Sequence, residues 1–299
     1  MYKNPANKQF WRVWSPLLIY WGISFLSQVL IAMVLFVVVW LPDMASKVEN
    51  GHMSLEALDG EVLPQMIVEV TAFVAKYTVH ILTITAVFTL CYTVTAFYRD
   101  RKADRMAGII LNSRVKITKY ALIAGLAAVS CLGLNFLLIM MQSAFPSLIY
   151  NQIAANTIYT APIWLQIVGF GIIMPMSEEM LFRGLIYKRY RERNDFRMAM
   201  LSSSFLFGLV HGNLIQFIYA FSIGMLFAFV YEKFGTIKAP LFFHILVNLI
   251  VIAYTNAKGF EWLFAEPIRI AVSVVICAFL GSVLFVFIQR MDSPQEISK

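Results

Sequence analysis

The chain has 299 residues, of which 60% are hydrophobic and 14% are charged, with a formal net charge of +7. This composition lies outside the range of water-soluble globular domains and indicates a polytopic membrane protein. The excess of basic residues follows from the orientation of the membrane spans described below, so it gives no reason to expect nucleic-acid binding.

Long apolar runs predict the membrane spans, since about 20 residues of helix cross roughly 30 Å of hydrocarbon. Such runs lie near 14–41, 68–97, 120–142, 163–182, 239–256 and 268–289. A further run, 198–231, is too long for one span and contains the polar break Gly212-Asn213, which predicts two short spans. The predicted fold class is therefore an all-α polytopic membrane protein with about eight transmembrane helices, in a single domain over 1–299.

Most of the basic residues lie before the first span and after every even-numbered span. They form clusters at 3–12, 99–119, 188–197, 233–238 and 290–299. By the positive-inside rule these segments face the cytosol, which predicts that both termini are cytosolic. The polar segment Pro42–Pro64 and the uncharged segment Ser143–Pro162 carry no pattern that assigns them a role.

Two adjacent glutamates, Glu178 and Glu179, lie in the apolar segment 163–182. A carboxylate at the centre of a membrane helix costs roughly 3 kcal/mol on insertion scales, so a pair of them indicates a functional site. Glu179 and Arg183 are four residues apart and can pair on one helix face, whereas Glu178 is turned about 100° away and is predicted to react. The alternative is that both carboxylates snorkel to the cytosolic interface.

Two of the four histidines, His211 and His244, are predicted to fall inside later apolar spans. His244 and Asn248 are one helical turn apart, so an imidazole and an amide project from one face. Phe207 lies one turn before His211 and is predicted either to separate the site from lipid or simply to pack. Together the three helices offer the carboxylate, imidazoles and amide that hydrolysis of a peptide bond requires.

The same side chains also match a zinc site with two histidines, one glutamate and an open position for water. The candidate ligands are Glu178, His211 and His244. The residues by themselves do not decide between a zinc-activated and a glutamate-activated water.

Three short motifs resemble those of the CAAX protease and bacteriocin-processing family. EEMLFR at 178–183, FGLVH at 207–211 and HILVN at 244–248 correspond to the family patterns EExxxR, FxxxH and HxxxN. The resemblance covers about 163–256, which is predicted to be the catalytic helix core. It implies an intramembrane endopeptidase in which Glu178 and His211 activate water.

In the same resemblance, His244 and Asn248 line the oxyanion site, while Glu179 and Arg183 brace the catalytic helix. The implied substrate is a membrane-associated peptide, either a prenylated CAAX tail or a leader or pheromone precursor. The glutamate-type mechanism, without a cofactor, is slightly favoured over zinc because the amide of Asn248 suits an oxyanion better than a metal.

Two other functions remain open from the residues. A non-catalytic immunity factor or scaffold could use the same polar cleft to bind a peptide or a membrane partner. An ion-coupled transporter could use buried Glu and His as a relay, but the chain lacks the internal repeats typical of such proteins. For the motifs to meet at one depth, the fourth helix must continue beyond Arg183 into Lys188–Arg193, which we therefore expect.

Overall fold

The computed structural model describes residues 5–50, 62–108, 115–144 and 158–291. All regular elements in these ranges are helices, as the composition predicted. The two segments without an assigned role lie partly outside the described residues, at 51–61 and 145–157.

The described residues form eight helices of 14 residues or more. They are α1 (Pro5–Leu35, continued without a break by Phe36–Trp40 and Leu41–Glu49), α2 (Val62–Met106), α3 (Tyr120–Ala144), α4 (Ile163–Arg191), α5 (Phe196–Leu209), α6 (Leu214–Phe234), α7 (Lys238–Asn256) and α8 (Pro267–Gln289). A short helix, Gly259–Phe264, connects α7 to α8. Of the eight helices, all except α5 are long and apolar enough to cross a membrane, so the chain is an integral multi-pass membrane protein.

The helices extend further than the predicted spans. α1 continues to Glu49 rather than ending near residue 41, and α2 has 45 residues, about 67 Å, far more than a bilayer core needs. The apolar runs marked only the part of each helix in hydrocarbon, whereas lysine, arginine and glutamate continue a helix readily in water. The expected extension of α4 beyond Arg183 is confirmed, since α4 ends at Arg191. The cytosolic orientation of the termini stays a prediction.

The run 198–231 forms two helices, as predicted, but α5 has 14 residues and is about 21 Å long, shorter than the hydrocarbon core. The break contains Gly212 in the left-handed region, with φ of +79°. It is followed by Asn213, whose side chain accepts a hydrogen bond from the backbone N–H of Gln216 and so caps α6. One expectation was wrong: His211 lies in this turn, not inside an apolar span. The glycine that the turn requires ends the helix just before the histidine.

α4 occupies the centre of the bundle. Its first two thirds contact α2 and α7, and the portion Phe182–Tyr187 contacts α5, α6 and α1. Two stretches of α4, Gln166–Ile173 and Phe182–Tyr187, are π-helical, and between them lies an eight-residue α-helical segment, Met174–Leu181. Short π-helical stretches within α-helices are frequently found at functional sites. Both glutamates lie on the segment between the two stretches.

Ion pairs join four helices around the C-terminal end of α4. Arg189 binds Asp100 of α2 with both Nε and Nη2 at 2.9 Å, a two-pronged geometry that is stronger than a single contact. Further pairs are Lys188–Asp104, Arg191–Glu232 and Arg12–Glu192. These contacts tie the helices outside the motif region, α1 and α2, to the helix that carries the glutamates.

Candidate active site

Glu179 and Arg183 form an ion pair inside the bundle, and both side chains have 0% exposure. The Arg183 Nη1 donates to Glu179 Oε1 at 2.9 Å, and Nη2 donates to the carbonyl of Gly224 on α6 at 2.9 Å. The guanidinium also lies over the rings of Phe207 and Phe227, at 4.6 and 5.1 Å. Arg183 therefore neutralises a buried carboxylate and joins α4 to α5 and α6. The helix spacing predicted this pair correctly.

His244 lies between the two glutamates. Its Nδ1 is 3.0 Å from Glu179 Oε1, and its Nε2 is 3.7 Å from Glu178 Oε2. An ionised carboxylate only accepts hydrogen bonds, so the proton of the imidazole must be on Nδ1, where it is donated to Glu179. In the neutral imidazole, the Nε2 atom then faces Glu178 with its lone pair. Glu179 thus sets both the orientation and the tautomer of His244.

The ring of His244 is held by aromatic side chains as well. It stacks on Phe227 with the centroids 4.6 Å apart, and it meets Phe207 edge to face at 5.7 Å. These contacts bury the imidazole to 7% exposure and leave it little rotational freedom. The ring of His244 is therefore held in one orientation.

Glu178 differs from Glu179 in both exposure and partners. Its side chain is 14% exposed, and its Oε2 lies 3.7 Å from the Nε2 of His244. That separation is too long for a direct hydrogen bond, but it allows one water molecule to contact both atoms. The predicted division between a paired and an available carboxylate agrees with this geometry.

His211 lies in the turn after α5 and contacts Phe207, which also contacts His244. Its Nδ1 lies 2.7 Å from the carbonyl oxygen of Phe207, so this nitrogen carries the proton and Nε2 is left as an acceptor. The His211 ring meets the Phe207 ring edge to face at 4.9 Å. Phe207 is 1% exposed and contacts both histidines, so its ring lies inside the site rather than between the site and lipid.

Asn248 lies on the same face of α7 as His244, as predicted, but its Nδ2 is engaged. It donates to the carbonyl oxygen of Phe170 at 2.7 Å. Phe170 belongs to the first π-helical stretch of α4, where the α-helical hydrogen-bond pattern is interrupted. Because Nδ2 carries two hydrogens, this bond uses only one of them.

The site was also compared with the requirements of a metal centre. Among the residues that the structure describes, no three His, Cys, Asp or Glu side chains converge so that they could hold a metal ion. Glu178, His211 and His244 are all described, and they do not form such a group here. The metal-dependent alternative stays a prediction.

Residues 160–250 match the family model described as type II CAAX prenyl endopeptidase Rce1-like. This segment is therefore similar to the CAAX protease and bacteriocin-processing family. The recognition made from the three motifs is confirmed, and the match includes every residue of those motifs. The family model leaves α1, α2 and α3 outside.

A curated relative from Bacillus subtilis (strain 168), described as "Putative membrane peptidase YdiL", is 35% identical to the chain over 102 residues. The alignment covers 34% of this chain and 41% of the relative, so the chain spans about two fifths of that protein's length. No solved structure matches the chain.

Sequence reasoning missed two contacts of the site. It assigned Glu179 only to Arg183 and did not anticipate that the same oxygen also binds His244. It also gave no role to α2, although Ser177 of α4 donates a hydrogen bond to Thr89 of α2 at 2.9 Å. A signal for the second contact was present, because Thr85, Thr89 and Thr93 recur every four residues and place hydroxyls on one face of an apolar helix.

Proposed function

We propose that this protein is an intramembrane endopeptidase of the glutamate type. The observation that carries the proposal is the row Glu178, His244, Glu179 and Arg183, in which three members are fixed by buried contacts and Glu178 keeps its carboxylate available. A buried set of ionisable side chains with one available carboxylate is typical of a catalytic site. Placing ionisable groups inside a membrane protein costs free energy, so such groups indicate a function.

In the proposed reaction, Glu178 takes a proton from a water molecule held between its Oε2 and the Nε2 of His244. The resulting hydroxide attacks the carbonyl carbon of the scissile peptide bond, and a tetrahedral oxyanion forms. The second Nδ2 hydrogen of Asn248 donates to that oxyanion. The proton then passes to the leaving amine, from Glu178 or through a histidine, and the C–N bond breaks.

The two histidines have separate parts in this scheme. His244 holds the water because its Nδ1 proton is donated to Glu179, which leaves Nε2 as an acceptor toward Glu178. His211 is the second acceptor, with its Nδ1 bound to the Phe207 carbonyl. Each can accept a proton while its other nitrogen stays anchored, which suits general acid–base catalysis.

The proposed substrate is a membrane-associated peptide that enters from the cytosol or the adjacent leaflet. Support comes from the family description, which names CAAX prenyl endopeptidases, and from the closeness of His244 to the basic end of α7. His244 is the seventh residue of α7, about 9 Å from Lys238 along the helix. A prenylated CAAX tail and an unmodified leader peptide both fit this route.

The test is cleavage of a fluorogenic panel, containing farnesylated CAAX peptides and unmodified leader peptides, by purified protein in lipid nanodiscs. Wild type is compared with Glu178→Gln, which keeps the shape of the side chain and removes its basicity. We expect wild type to cleave at least one peptide, and we expect the cleavage rate to be at least a hundredfold lower in Glu178→Gln. A strong zinc chelator is added in a parallel arm.

Activity that survives the chelator supports the glutamate mechanism, and activity lost in chelator and restored by zinc refutes it. Cleavage confined to farnesylated peptides identifies prenylated CAAX tails as the substrate class. Cleavage of the unmodified peptides identifies leader peptides as the substrate class. If folded wild-type protein cleaves nothing but binds a peptide of the panel, the site belongs to an immunity factor or scaffold instead.

A further inference from the structure

The contact between Ser177 and Thr89 lies beside the reactive glutamate but outside the three motifs. Ser177 immediately precedes Glu178, and its hydroxyl donates to Thr89 Oγ1 at 2.9 Å. Both side chains are buried, with 0% and 1% exposure. The phenol of Tyr20, on α1, lies close to both hydroxyls and within electrostatic range of Glu178. Three helices thus bring hydroxyl groups to one point next to the site.

The direction of this hydrogen bond is fixed by the other contacts of Thr89. Its hydroxyl hydrogen is directed to the carbonyls of its own helix, at 3.2 Å from Thr85 O and 3.1 Å from Ala86 O. Thr89 Oγ1 therefore acts as an acceptor toward α4, and the serine hydroxyl supplies the proton. Valine has the same shape as threonine but cannot accept a hydrogen bond, so it would remove the contact from Ser177 to α2.

The position of Ser177 on α4 explains why the contact matters for Glu178. Met174–Leu181 is an eight-residue segment between two π-helical stretches, so regular α-helix on either side does not fix its rotation. Ser177 and Glu179 are two residues apart and so point about 200° apart around the helix. Ser177 contacts α2 while Glu179 contacts α7, and these opposed contacts hold Glu178 between them.

We propose that Thr89 is a positioning residue for Glu178, acting through Ser177. By preventing rotation of the segment Met174–Leu181, the Thr89 contact maintains the 3.7 Å separation between Glu178 Oε2 and His244 Nε2. The proposal rests on the endopeptidase function proposed above. It assigns a part in that reaction to α2, which lies outside the matched family segment.

The experiment compares Thr89→Val with Thr93→Val, a matched control on the same helix face. Thr93 is also fully buried, and its hydroxyl bonds to the Leu90 carbonyl of its own helix at 3.2 Å. Thr89→Ser keeps the acceptor oxygen and tests rescue. For each variant, kcat and KM are measured with the peptide that wild type cleaves best, together with thermal unfolding in the same nanodiscs.

Thr89→Val is expected to lower kcat roughly tenfold with KM changed less than twofold, because the substrate site is intact and the base is misplaced. Thr89→Ser and Thr93→Val are expected to stay within about twofold of wild type. The double variant Thr89→Val, Ser177→Ala should lower kcat little more than either single variant, since each change removes the same contact.

Equal kcat values for Thr89→Val and Thr93→Val, at matched unfolding temperatures, would overturn the positioning proposal while leaving the endopeptidase function intact. Additive effects of Thr89→Val and Ser177→Ala would overturn it too. If the wild-type protein cleaves no peptide, or if Glu178→Gln cleaves as fast as wild type, the glutamate-type endopeptidase function itself is refuted. The two failures are therefore distinguishable.

Discussion

Replacing Arg183 with glutamine tests the central ion pair of the bundle. The change leaves Glu179 buried at 0% exposure without its cation, and breaking a buried pair from one side costs about 3–5 kcal/mol. It also removes the bond to the Gly224 carbonyl and the stacking over Phe207 and Phe227. We therefore expect a loss of at least about 3 kcal/mol in the free energy of unfolding.

The measurement is equilibrium unfolding in mixed micelles with increasing sodium dodecyl sulfate. Two comparisons make it specific. The double variant Glu179→Gln, Arg183→Gln should lose clearly less than the sum of the two single losses, since neither charge is left unpaired. Arg12→Gln is the matched control: its ion pair with Glu192 is 45% and 29% exposed, and we expect a loss of at most about 1 kcal/mol.

A loss for Arg183→Gln no larger than that for Arg12→Gln would refute the reasoning. So would strictly additive losses in the double variant, because they would mean that the two charges do not stabilise each other.

Three further predictions concern neighbouring contacts. Gly169→Ala should lower the unfolding midpoint, because an added Cβ would lie 2.2 Å from Thr83 Oγ1. Thr83→Ala in the same chain should recover only part of that loss, since the Thr83 Cβ would still lie 3.2 Å from the added carbon, and an unchanged midpoint for Gly169→Ala would contradict this. Asn248→Leu should lower the unfolding free energy by about 1–3 kcal/mol, because the Phe170 carbonyl loses its donor, and a neutral result in the same titration argues against that bond. His211→Ala should unfold like wild type yet cleave at least about a hundredfold more slowly, and retained cleavage would remove His211 from the reaction.

Seven of the eight helices could be predicted because hydrocarbon thickness imposes length and composition on each span. The short helix α5 was predicted instead from the polar break that follows it. Helix ends outside the membrane could not be predicted, since the apolar pattern stops where hydrocarbon stops. The continuation of α1 to Glu49 is one example. The extension of α4 was predicted only because the motifs had to meet at one depth.

Within the site, contacts between residues of one helix were predictable and contacts between helices were not. Glu179 and Arg183 are four residues apart, so helix geometry placed them together. The bond from His244 to Glu179 depends on how α7 packs against α4, and no spacing in the chain encodes that packing directly. The π-helical stretches, one of which contains Phe170, likewise leave no clear pattern in a single sequence.

The buried pair within α4 also bears on how the protein enters the membrane during synthesis. Arg183 is four residues from Glu179, so α4 carries the counter-ion for its own carboxylate as it leaves the ribosome. His244 lies 65 residues beyond Glu179 and emerges much later. During that interval the pair within α4 offsets part of the cost of moving a charged helix out of the translocon. Arg183 thus assists the insertion of α4 before α7 has been made, and it later stabilises the finished site.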